Sequence, residues 1–267
     1  MREYLSFFRI RFTNGLQYRA AAWAGVATQF AWGFLSLLLY KAFYADGQAA
    51  FPMSFPELSS YIWLQQALLA LFMSWYFDND IFNSVTSGSV AYELCRPADL
   101  YTMWFVKNMA VRVSRVVLRC APILLVAVFL PEPMNISLPA SPVAGALFLL
   151  SLTLGFLVTV SFSMLIYISA FSTISPLGMR ILAASLVDFL SGGIVPLAFF
   201  PDGVRAVVNL LPFASMQNAA FQIYIGYSAG TEAMKSVLLQ LFWLAALAGI
   251  GKAAMGRALK KVVIQGG

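Results

Sequence analysis

Apolar residues gather in six long blocks along the chain, at about 20–43, 58–77, 105–130, 143–171, 181–200 and 233–251. Each approaches or exceeds the roughly 20 residues a helix needs to cross about 30 Å of hydrocarbon. The pattern predicts an all-α membrane protein with six transmembrane helices. The start of the third block is not defined by its pattern, because Lys107, Arg112, Arg115 and Arg119 enter before the clean run 116–130. The fourth block is the longest and cleanest.

Between the blocks the pattern changes character. Residues 1–19 are basic and aromatic, with Tyr4, Leu5, Phe8, Phe12 and Leu16 on one face at 100° per residue, although Phe7 and Ile10 break it. Two readings fit this segment: an amphipathic interfacial helix on the inner leaflet, or the basic flank of the first span. Residues 20–267 then form a single transmembrane domain. Within it, 204–225 is apolar enough to pass for a seventh span, but Asn209, Pro212, Gln217 and Asn218 interrupt it. A re-entrant helical hairpin before the last span fits better, since irregular backbone at membrane depth is tolerated where protein buries it.

Charge supports that count. With the N-terminus inside, 14 of the 17 Lys and Arg fall on the cytoplasmic side, leaving Lys41, Arg205 and Lys235 outside. This is the asymmetry of the positive-inside rule, and it puts both termini in the cytoplasm. A seventh span would move Lys252, Arg257, Lys260 and Lys261 outside. Composition agrees: 61% of residues are hydrophobic and 10% charged, against about a quarter charged in soluble domains. The basic residues flank membrane spans, so lipid rather than nucleic acid is the partner they imply.

The chemistry missing from the chain is informative. It has no His, and its two cysteines, Cys95 and Cys120, make neither a metal site nor an expected disulfide. The nearest approach to a nucleotide-binding loop is Gly249-Ile250-Gly251-Lys252, but Ala253 stands where a Ser or Thr must hold magnesium. No catalytic set or bound cofactor is expected, and the chain by itself is not expected to be an enzyme.

Polar residues inside the apolar pattern are the candidate functional positions. Ser87–Leu100 reads SGSVAYELCRPADL, a turn, one or two helical turns, and a stop at Pro97, because the residue before proline avoids the α region. Such a helix would lie along the membrane with Glu93 and Arg96 available to a partner; a plain connector also fits. Arg112, Arg115 and Arg119 share one helical face at i, i+3 and i+7. Each would cost about 2.5–3.5 kcal/mol in lipid, so they are expected to meet headgroups, a partner or acidic side chains below the hydrocarbon. Asp188, deep in the fifth block, needs a partner, and Arg115 or Arg119 is the candidate. Gln65, Gln66, Ser161, Ser163 and Tyr167 could line a path for an amphiphile or could join helices by hydrogen bonds. Gly192, Gly193 and Pro196 are expected to break the fifth span, as a hinge or for close packing.

Two stretches carry a family resemblance. Gly88-Ser89-Val90-Ala91-Tyr92-Glu93-Leu94-Cys95-Arg96-Pro97 has the form Gly-x-x-x-x-x-Leu-x-Arg-Pro. Gly192-Gly193-Ile194-Val195-Pro196-Leu197-Ala198-Phe199-Phe200-Pro201 precedes Leu211-Pro212-Phe213. In this order, after a basic leader and two spans, they resemble the ABC-2 family of ABC-transporter permeases. The resemblance implies a short cytoplasmic coupling helix in which Gly88, Tyr92, Glu93, Arg96 and Pro97 meet an ABC ATPase. It further implies two ATPase copies holding ATP and Mg, a second permease subunit, related rather than identical, and a place in the bacterial cytoplasmic (inner) membrane. Its expected activity is export of a hydrophobic or amphiphilic compound such as a drug, lipid or natural product. A membrane scaffold or assembly factor remains as an alternative. An ion-coupled secondary transporter is another, though one intramembrane acid and no internal repeat speak against it.

Overall fold

The computed structural model describes residues 2–45, 51–173 and 175–261. Eleven α-helices and no strand occur among these residues. They are α1 (Arg2–Gly15), α2 (Arg19–Ala45), α3 (Phe55–Phe72), α4 (Asn79–Thr86), α5 (Val90–Leu94) and α6 (Leu100–Phe129), followed by α7 (Pro142–Ser169), α8 (Leu177–Leu190), α9 (Asp202–Val208), α10 (Asn218–Tyr224) and α11 (Gly230–Leu259).

The starts of several helices follow from their first residues. Ser54 donates its backbone N–H to Glu57 Oε2 at 2.7 Å ahead of α3. Asp99 accepts from the Thr102 N–H at 2.8 Å to open α6, and Ser141 accepts from the Ala144 N–H at 3.0 Å to open α7. These acceptors satisfy amide groups that a helix N-terminus otherwise leaves bare.

Three helices, α2, α7 and α11, are both long and apolar enough to cross a membrane. The chain is a multi-pass membrane protein. α6 has the length, 30 residues, but carries the four basic residues noted in its pattern. Two of the expected spans are cut short. The second, expected to reach 77, ends as a helix at Phe72. The fifth, expected over 181–200, is a 14-residue helix, which reaches about 21 Å at 1.5 Å per residue. It stops because Gly192 takes φ +75° and the N–H groups of Gly193 and Ile194 turn back onto the Asp188 carbonyl, at 3.1 and 3.2 Å. A 3-10 turn, Leu197–Phe199, follows. The interrupted segment 204–225 forms α9, an irregular turn and the almost wholly buried α10.

The leader is a separate helix. α1 has no buried residue, yet it lies along α6. The Asp99 N–H donates to Tyr4 Oη at 2.9 Å, and Gly15 sits so near Ser114 that an added Cβ would fall 2.1 Å from its Oγ. Elsewhere α3 packs on α6 and α2, and α7 on α10 and α11. One large apolar core is built around Tyr61, Trp63 and Phe221. A second, aromatic core sits at the end where α4 and α5 join α6, α7 and α11.

Candidate functional site

The segment between α3 and α6 is fastened to four helices. Phe77, Phe82 and Val90 enter the aromatic core with Trp104 of α6, Tyr167 of α7 and Met255 of α11. The Asp78 N–H donates to Tyr167 Oη at 2.7 Å, while the Asp78 carboxylate meets Lys107 Nζ at 2.8 Å. Arg180 at the start of α8 donates to Asn79 Oδ1 at 3.0 Å and lies over the rings of Phe77 and Phe82. Burial of aromatic area and charge-assisted hydrogen bonds together leave this segment little freedom to move apart from the helices it touches.

Beyond that anchor, α5 presents two different faces. Gly88 takes φ +75° in open space, so its glycine serves the backbone turn alone. Val90 faces the core, and Glu93 accepts from the Trp104 indole N–H at 2.7 Å. Glu93 was expected to face a partner; it is instead committed to the fold. Tyr92 is 79% exposed, and Arg96 and Pro97 are exposed beside it. The outward face of the segment therefore includes Tyr92, Leu94, Cys95, Arg96 and Pro97.

The arginine stripe divides three ways. Arg112 is 1% exposed. It donates to the carbonyls of Leu71 and Met73 at 2.8 and 2.9 Å, to Asn108 Oδ1 at 2.7 Å and to Ser163 Oγ at 3.2 Å. It thus caps the C-terminus of α3, whose last carbonyls carry the negative end of the helix dipole. It was expected below the hydrocarbon against headgroups, a partner or acids; the bare carbonyls of a broken helix attract it instead. Arg115 places its Cζ 3.5 Å from the Tyr76 ring centroid. Arg119 projects into a cleft.

That cleft, about 620 Å³, is bounded by α2, α3, α8 and the turn after α8. Gln65, Gln66, Arg119, Asp188, Gly193 and Pro196 all line it. Asp188 was expected to pair with Arg115 or Arg119, but no ion pair joins them among the described residues, and the Ser74 hydroxyl donates to Asp188. Gln65 donates to the Gly193 carbonyl, bridging α3 to the turn. Gly192 abuts this wall, where a Cβ would stand 2.7 Å from Tyr61 Oη.

Ser161, Ser163 and Tyr167 do not line the cleft. Ser161 donates to the Leu157 carbonyl at 2.8 Å, and Ser163 to that of Thr159 at 2.9 Å while accepting from Arg112. Tyr167 is a fully engaged member of the aromatic core. These three belong to helix packing.

Residues 30–266 match the family described as ABC-2 family transporter protein. The chain belongs to this family. No curated protein matches it. Membership makes it a permease-type transporter protein and implies association with an ABC ATPase and with the membrane. Within this ABC-2 protein the segment from Phe77 to Pro97 and the cleft are the two candidate working parts, joined through α3 and α6. Gln29 of α2 also lines the cleft and escaped the residue-by-residue reading. The signal for it existed: it is the one amide well inside an otherwise apolar first block.

Proposed function

We propose that this ABC-2 protein is the membrane-spanning permease subunit of an ATP-driven exporter, coupled to separate ATPase subunits through α4 and α5. The observation that carries the reading is the contrast within α5. Glu93 and Val90 bind the segment to the membrane helices, while Tyr92 and Arg96 are left exposed on it. A docking surface fixed to α6, α7, α8 and α11 passes a partner's preferred geometry to the helices, which is all that coupling requires thermodynamically. ATP and Mg belong to the partner, and this chain performs no hydrolysis.

The same reading includes six crossings, with α3, α6, and α8 together with the turn that follows it, completing the set and both termini in the cytoplasm of a bacterial cell. Its ligand path is the cleft, with Gln65 and Gln66 meeting a hydrophobic or amphiphilic compound. A second permease subunit, related rather than identical, belongs to the same reading as what the family resemblance implies.

The test is made on the assembled complex. Tyr92→Ala combined with Arg96→Ala is expected to release the ATPase during purification in mild detergent, or to leave its hydrolysis unconnected to transport. A complex that stays whole and transports normally rejects the docking surface. Orientation has its own readout in Cys95, which is exposed. An impermeant maleimide should reach it in inside-out vesicles and not in intact cells; the reverse result rejects the topology.

A further inference from the structure

The cleft holds an unusual concentration of unsatisfied polarity. Gln29 is 3% exposed, and neither atom of its amide has a hydrogen-bond partner. Gln66 Oε1 and Arg119 Nε are also buried without partners, and all three residues line this one cleft. Buried polar groups nearly always find partners, because each one left bare bears its full desolvation penalty. These atoms lie just beneath the cleft wall, so a polar ligand in the void meets them when the side chains turn towards it.

Two opposite charges share the void without meeting. Neither Arg119 nor Asp188 joins an ion pair among the described residues. Ser74 holds the Asp188 carboxylate, and the Arg119 guanidinium lies against Gly25, where an added Cβ would come within 2.5 Å of Cζ. Charges inside a membrane domain are kept where they meet a counter-charge or a ligand. A separated cation and anion match a ligand bearing both signs. The lining of the same cleft includes the exposed indoles of Trp32 and Trp75, whose ring faces attract ammonium groups. The volume lies within the range of small-molecule sites.

We propose that the cleft binds the headgroup of a zwitterionic amphiphile. The anionic part sits on Arg119 with the amides of Gln29 and Gln66, and the cationic part on Asp188 and the two indoles. The apolar tail leaves along Leu35 and Leu39 of α2, both exposed. This rests on the cleft being the ligand path of the transporter, and it narrows the ligand class.

The test uses the full chain in an uncharged maltoside detergent, with native mass spectrometry counting retained ligand. The probes are lysophosphatidylcholine, lysophosphatidic acid, monoacylglycerol and an alkyltrimethylammonium salt, all of one chain length. Lysophosphatidylcholine should bind at least about tenfold more tightly than each of the others. Arg119→Gln should shift the preference towards the ammonium salt, and Asp188→Asn towards lysophosphatidic acid. Gln29→Leu should weaken the zwitterion several-fold and leave monoacylglycerol unchanged. A purely structural role would lower all four together. Arg119→Lys and Asp188→Glu keep the charges and should keep the preference, which covers the case in which a neutral variant fails to fold. Equal affinity for monoacylglycerol, or selectivity that ignores the charge changes, overturns the proposal. No ATPase is present in this assay, so its failure leaves the Tyr92 and Arg96 experiment standing, and the converse also holds.

Discussion

The guanidinium of Arg112 stands 2.8 Å from the carbonyl oxygen of Leu71, 41 positions away in the chain. It holds the Met73 carbonyl as well, at 2.9 Å. One side chain of α6 therefore terminates α3. The irregular break at 73–78 can sit inside a membrane domain because the carbonyls of Leu71 and Met73 both meet Nη1 of the guanidinium fork.

Removing that fork should unsettle the whole domain. Arg112→Ala leaves the Leu71 and Met73 carbonyls bare in a buried place, a loss of about 1–3 kcal/mol for each unsatisfied group. Arg112→Lys keeps the charge but cannot reach all four acceptors, so it should fall between. Thermal unfolding in mild detergent ranks the three proteins; an Ala variant that melts with the wild type would refute the capping role.

Glu93 and Trp104 offer a finer test of the anchor. Glu93→Gln retains an acceptor for the indole N–H, so α5 should keep its place and the ATPase its grip. Glu93→Ala and Trp104→Phe each delete one side of the 2.7 Å bond, at about 1.5–3 kcal/mol for a hydrogen bond to a charged group. Both should loosen ATPase retention to a similar degree, with little further loss in the double variant. Additive losses would show that the two residues act separately.

The glycines should differ in a graded way. Gly88 and Gly192 both take φ +75°, but a Cβ at Gly88 meets nothing, while one at Gly192 meets Tyr61 Oη. Gly88→Ala should cost about 1–2 kcal/mol of backbone strain alone, and Gly192→Ala more. Gly155→Ala, whose Cβ would lie 1.9 Å from the Met216 carbonyl oxygen, should be worse than Gly88→Ala for a different reason, since backbone must move. Melting temperatures in the order Gly88→Ala above both others are expected.

Asp78 joins the segment to Lys107 with both side chains largely shielded. Asp78→Asn should destabilise the domain by leaving the ammonium with Asp80 alone, 3.7 Å away and exposed. The double change Asp78→Asn with Lys107→Met should recover part of that loss, because no unpaired charge then remains buried. Failure of the second change to recover anything, read by the same melting assay, would show that the pair is not coupled.

The sequence by itself determined the class of molecule, the positions of most helices, the breaks near Gly192 and Pro97, and the family. These follow from local physics: runs of apolar residues, proline and glycine geometry, and the placement of basic residues act within a few positions. Gln65 and Gln66 were legible too, as amides in an apolar block. Only the tertiary structure decided how polar groups are satisfied. The partner of Arg112 is a carbonyl of another helix, Asp188 takes Ser74 rather than an arginine, and Glu93 turns inward to Trp104. Ser161, Ser163 and Tyr167 looked like Gln66 in the pattern, yet they spend their hydrogen bonds inside the packing. Periodicity states which face of a helix a side chain occupies; what that face meets depends on segments far away in the chain, brought close only when the domain packs.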